Sequence, residues 1–62
     1  MMEYEKFEEL LKNKGVKTID VANKTQIPPA TFSDWKRGKS KPKIDKVQQI
    51  AAYFGVGVDY FL

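Results

Sequence analysis

The chain has 62 residues, 42% of them apolar, with 11 basic and 8 acidic side chains and a net charge of +3. That length holds one small domain and no more, with a thin core, because a chain of this size buries only about 60% of the surface its unfolded form exposes. Cysteine and histidine are both absent, which excludes disulfides, thiolate metal sites and imidazole chemistry and leaves no expectation of catalysis, metal, cofactor or small-molecule ligand.

A first helix is predicted over residues 3–14, where Tyr4, Phe7, Leu10 and Leu11 form one apolar stripe and Gly15 follows as a stop. Four acids, Glu3, Glu5, Glu8 and Glu9, crowd its start against Lys6 alone. Thr18 reads as the N-cap of a second helix, with Asp20 adding negative charge to its first turn. That helix runs to about Thr25, with Ile19 and Ala22 facing inward and Val21 beside them. It has to end there, since Pro28 drives Ile27 out of the helical region.

Pro29 suits the first position of a third helix, where its missing N–H costs nothing. The helix extends to about Arg37, with Gly38 as its stop and Phe32 and Trp35 on one buried face. A basic loop with Pro42 comes next, then a fourth helix over residues 44–54 with an apolar stripe of Ile44, Val47, Ile50, Ala51 and Phe54. A fifth helical turn is expected from about Val58. No segment alternates with period two, so no strands are predicted.

From Lys36 to Lys46 there are six bases, Lys36, Arg37, Lys39, Lys41, Lys43 and Lys46, against Asp45 alone. Such a segment is either a surface for a polyanion or a solvated lysine-rich loop. No apolar run is long enough to span a membrane, and the acidic N-terminus does not look like a signal peptide. The expectation is a cytoplasmic protein. The aromatic-rich end, Tyr60, Phe61 and Leu62, either packs back on the first and fourth helices or offers a surface for association.

The second and third helices are separated only by a tight joint centred on Gln26-Ile27-Pro28, which is helix-turn-helix geometry. Around that joint the chain resembles the Cro- and lambda-repressor-like helix-turn-helix family. The matching features are the small Ala22, the aliphatic Ile27 in the turn, the run Phe32-Ser33-Asp34-Trp35 and Gly38. Downstream, Pro42, Ile44, Ile50-Ala51, Phe54-Gly55-Val56 and Val58-Asp59-Tyr60-Phe61-Leu62 look like the family's fourth and fifth helices. The resemblance covers about residues 4–62.

The resemblance implies an all-α, compact bundle of five short helices, lambda-repressor-like, as one domain over residues 1–62 or the N-terminal fragment of a longer regulator. It also implies sequence-specific binding of double-stranded DNA, with the third helix in the major groove. Base contacts would fall at Pro29, Ala30, Thr31, Ser33 and Asp34, and phosphate contacts at Thr18, Lys36, Arg37, Lys39, Lys41 and Lys43. Tyr60, Phe61 and Leu62 would lie at the contact of a homodimer on a palindromic operator. The expected role is a transcriptional regulator, a repressor in the first instance. The alternatives are the DNA-binding antitoxin of a toxin–antitoxin pair and a helix-turn-helix-derived protein–protein module. Pro29 and Ala30 depart from the family, many of whose members carry glutamine there, a residue that pairs with adenine where these two side chains cannot hydrogen-bond.

Overall fold

A computed structural model describes residues 4–61. Four α-helices run in order, α1 Tyr4–Lys14, α2 Thr18–Thr25, α3 Pro29–Arg37 and α4 Ile44–Phe54, and a 3-10 turn, Val58–Phe61, closes the described chain. The described residues contain no strand. The expected fifth helix is thus a single 3-10 turn. It is too short for an α-helical ladder, and its amide bond spans three residues, from Tyr60 N–H to the Gly57 carbonyl at 3.1 Å. Glu3 and Leu62 lie outside the described residues.

The core is organised around Phe7. Its ring stacks on Phe32 of α3 at 5.2 Å between centroids, meets Trp35 at 5.4 Å and abuts Phe54 of α4 edge-on at 6.0 Å. One ring of α1 therefore joins three helices. Trp35 is further enclosed by Tyr4 at 5.5 Å and by Phe61 of the terminal turn at 6.2 Å. Its indole N–H is buried and has no hydrogen-bond partner among the described residues.

In α2 the inward residues are Val21 and Ala22, while Ile19 is 50% exposed. The expected inward Ile19 is corrected by helical geometry. Thr18, Val21, Ala22 and Thr25 stand at positions i, i+3, i+4 and i+7 and so form the inner stripe. Two threonines on that stripe hide it from a hydrophobicity pattern. Thr25 tolerates the position because its hydroxyl donates back to the Val21 carbonyl at 2.7 Å. Ile44 is likewise 54% exposed. It lies on the α4 stripe but occupies the first helical position.

The capping expectation at Thr18 also needs correction. Thr18 is the first helical residue and Lys17 is the N-cap, with no side-chain cap bond. Asp20 instead accepts a hydrogen bond from the Lys17 backbone N–H at 3.0 Å. A lysine side chain has no acceptor, so the reciprocal half of a capping box is not formed.

The helix-turn-helix joint turns on Gln26, which ends α2 in the left-handed region at φ 58° and ψ 31°. That conformation disfavours any residue with a Cβ by about 1–2 kcal/mol. The following Ile27 is buried and pins the turn to the core. Gln26→Gly is expected to raise the melting temperature by about 2–6 °C once the greater unfolded-state freedom of glycine is set against the relieved strain. Thermal unfolding followed by circular dichroism checks this, and an unchanged or lower midpoint would remove strain from the account of the turn.

Candidate nucleic-acid interface

Helix α3 is entered through Pro28 as N-cap, at φ −58° and ψ 138°, and Pro29 holds its first turn. Phe32 and Trp35 are buried at 2% and 4% exposure. They fix which side of the helix faces inward. On the opposite side Ala30, Ser33, Asp34 and Arg37 stand at i, i+3, i+4 and i+7, one continuous outer stripe. Ala30, Ser33 and Arg37 are exposed and Asp34 is partly buried. Pro29 is exposed and Thr31 half-buried, one on each flank of the stripe. Ala30, Ser33 and Asp34 therefore share the outer face of one helix with Arg37 in line, and Pro29 and Thr31 sit at its edges.

The helix closes with a Schellman pair. Gly38 N–H donates to the Trp35 carbonyl at 3.1 Å and Lys39 N–H to the Asp34 carbonyl at 2.9 Å. Gly38 adopts φ 76°, a conformation that any Cβ would strain. The backbone is thereby turned directly from α3 into the basic loop. Lys36, Lys39, Lys41 and Lys43 are all exposed, while Pro42 between them is buried. Pro42 anchors the loop to the core and leaves its lysines outside. In the sequence Pro42 is only a loop residue that fits the family's pattern, and that match is the available signal for its role.

Lys43 is also the N-cap of α4, again with no side-chain cap bond. A cation at the positive end of a helix is locally unfavourable, and such conflicts between local preference and placement are characteristic of functional surfaces. Lys17 repeats the arrangement at α2. Thr18, a phosphate-contact candidate, is half-buried beside it.

Of the four acids crowded near the N-terminus, three lie on α1, where Glu5 and Glu9 are exposed and Glu8 half-buried. The terminal turn is tied to the same helix. Tyr60 donates its hydroxyl to Glu9 Oε1 at 3.3 Å, and Lys6 Nζ sits 5.4 Å from the Tyr60 ring centre. Desolvation by burial, then the Glu9 carboxylate, raise the Tyr60 phenol above its ordinary value of 10.0. A raised pKa means that any contribution to stability is present below the ordinary phenol value and is lost as pH climbs through the folded one.

Of the dimer-contact candidates, Phe61 is fully buried in the domain's own core and Tyr60 is half-buried, and Leu62 lies outside the described residues. The Phe61 ring is therefore removed from any outer surface by its packing on Trp35. A shallow open groove of about 420 Å³ runs between the end of α2 and α4, lined by Lys24, Thr25, Gln49, Ala52 and Tyr53. It includes none of the base- or phosphate-contact candidates. No described helix is long and apolar enough to cross a membrane.

Two helices meeting at a tight, left-handed joint, the second with a solvent-facing stripe that leads into a basic loop, define a helix-turn-helix domain. Residues 7–61 match the helix-turn-helix family model, and the chain belongs to that family, of the Cro and lambda-repressor type. The HTH-type transcriptional regulator DdrOP3 of Deinococcus deserti is 32% identical over 54 residues, which is 87% of this chain and 42% of that protein. The chain thus spans less than half the length of this relative. No solved structure matches the chain.

Proposed function

We propose that this domain binds double-stranded DNA in a sequence-dependent way as the DNA-reading part of a cytoplasmic transcriptional regulator, a repressor in the first instance. The observation that carries the reading is the outer stripe of α3, set opposite the buried Phe32 and Trp35 and continued through Gly38 into exposed lysines held by a buried Pro42. In this reading α3 lies in the major groove and α2 braces it against the backbone. Lys36, Lys39, Lys41 and Lys43 neutralise phosphates as point charges and fix register, with the Thr18 hydroxyl and the free amides at the start of α2 donating to a further phosphate. Thr31, Ser33 and Asp34 face base edges, and Pro29 and Ala30 touch thymine methyl groups. A single domain of this size makes few contacts, so strong binding requires two copies on half-sites one helical turn apart. Tyr60 stands at the rim of that pairing.

The test is fluorescence anisotropy with a pool of random duplexes at about 50 and 200 mM salt, the bound fraction being sequenced. Neutralising four to six phosphates is expected to cost roughly a hundredfold to a thousandfold in affinity between those salts. The recovered duplexes are expected to share a palindrome. Absence of salt-sensitive binding to any duplex would refute the reading.

A further inference from the structure

Charge alone groups Arg37 with the lysines of the basic loop. Its place on the helix separates it from them. Arg37 is the last residue of α3 and stands on the outer stripe with Ala30, Ser33 and Asp34, whereas Lys39, Lys41 and Lys43 follow on the loop beyond Gly38. Helical side chains lean toward the N-terminus of their helix, over the residues three and four positions earlier. The long Arg37 side chain is thereby directed back over Ser33 and Asp34, toward the part of the stripe that faces the bases in the reading above.

We infer that Arg37 is a base-reading residue, specific for guanine, rather than a phosphate contact. The inference rests on the reading of α3 as the groove-facing helix and deepens it. The helix begins with Pro29 on the flank of the stripe and Ala30 on it, neither of which has a side-chain hydrogen-bonding group. Hydrogen-bonded readout therefore falls to the half-buried Thr31 and, along the exposed stripe, to its later positions. Arginine is the side chain whose planar fork matches the O6 and N7 acceptors that guanine presents in the major groove, and lysine cannot reproduce the paired geometry. Asp34, three residues earlier and half-buried on the same stripe, is a neighbour of Arg37 across one helical turn. At that spacing its carboxylate offsets part of the guanidinium charge along the stripe, which lowers the attraction of Arg37 for the phosphates that surround the groove.

Duplex selection from a random pool with the wild-type protein, Arg37→Lys and Arg37→Ala tests this. Arg37 is exposed at a helix end, so all three proteins are expected to melt within a few degrees of one another. The wild-type motif is expected to contain a G·C pair in each half-site that both variants stop selecting. Arg37→Lys is expected to keep its affinity for motif-free duplexes within about twofold while losing roughly tenfold on the selected site, as one bidentate base contact implies. Arg37→Ala is expected to leave the salt slope on motif-free duplexes unchanged, where loss of a phosphate contact would flatten it by about 0.9. An unchanged motif in Arg37→Lys, or equal weakening of all duplexes with a flattened slope in Arg37→Ala, overturns the assignment while leaving DNA binding intact. Failure of the wild-type protein to select any motif overturns the assignment together with the reading of α3.

Discussion

Phe32→Ala is expected to destabilise the domain by roughly 3–5 kcal/mol, the range for truncating a fully buried phenylalanine. The ring is 2% exposed and stacks on Phe7, which in turn abuts Trp35 and Phe54. Its removal leaves a cavity where α1, α3 and α4 converge, and the rigid neighbouring rings cannot collapse to fill it. A domain of this size has a total stability of about 3–9 kcal/mol, so the variant is expected to lose a large part of that margin and to melt far below the wild-type domain. Phe32→Leu, which keeps most of the volume, is expected to cost far less, on the order of 1 kcal/mol. Urea unfolding followed by circular dichroism measures both. A near-neutral midpoint for Phe32→Ala would mean that α3 is not held by its inner face, and the outer stripe would lose its orientation.

The second large effect concerns affinity and not stability. Lys39→Ala combined with Lys41→Ala is expected to weaken binding to every duplex alike, by about thirtyfold to a hundredfold near 0.1 M salt, and to flatten the plot of log affinity against log salt by about 1.8. Both side chains are exposed, so melting is expected to move by no more than about 0.5 kcal/mol in stability. Anisotropy titrations across a salt series with a fixed and a scrambled duplex separate the outcomes. A loss confined to one sequence would assign these lysines to base edges, and an unchanged slope would take the loop out of the interface.

How far the fold was legible depended on whether the inner residues were apolar. The stripe Val47, Ile50, Ala51 and Phe54 of α4 is apolar throughout, and so are Phe32 and Trp35 of α3, and all six are buried. In α2 the inner stripe carries Thr18 and Thr25, and the neighbouring Ile19 drew the inward reading although it is exposed. Thr18 drew the capping reading for the same reason that it misled, since threonine is a favoured cap, whereas the bond at that helix start runs from the Lys17 backbone to Asp20. The left-handed Gln26 is equally silent in sequence, because glycine or asparagine would be the usual signal there.

The candidate interface was legible as a set of residues but not as a surface. The match to the family's pattern singled out the outer positions of α3, and composition singled out the lysines. Two properties needed the folded chain. One is the burial of Pro42, which turns a run of charges into a presented row. The other is the alignment of Arg37 with Ala30, Ser33 and Asp34, which linear charge counting does not show. The terminal aromatic cluster divided in a way that composition does not reveal, with Phe61 inside the core and Tyr60 at its edge.

The tie between Tyr60 and Glu9 joins residues 51 apart in the chain, and it bears on the order in which the molecule assembles. The four helices are linked by connections of three to six residues, and the small all-helical topology is of the kind that folds in microseconds to milliseconds. Docking of the last turn closes nearly the whole chain into a loop, much as the contact of Phe7 with Phe54 does, but the turn itself is only four residues at the end of the described chain. That turn is therefore expected to be the first element to open. When Phe61 departs, one wall around the only tryptophan opens, while Phe7, Phe32 and Phe54 keep the helices together. Solvent is then expected to reach Trp35, on the inner side of α3, before the domain itself comes apart.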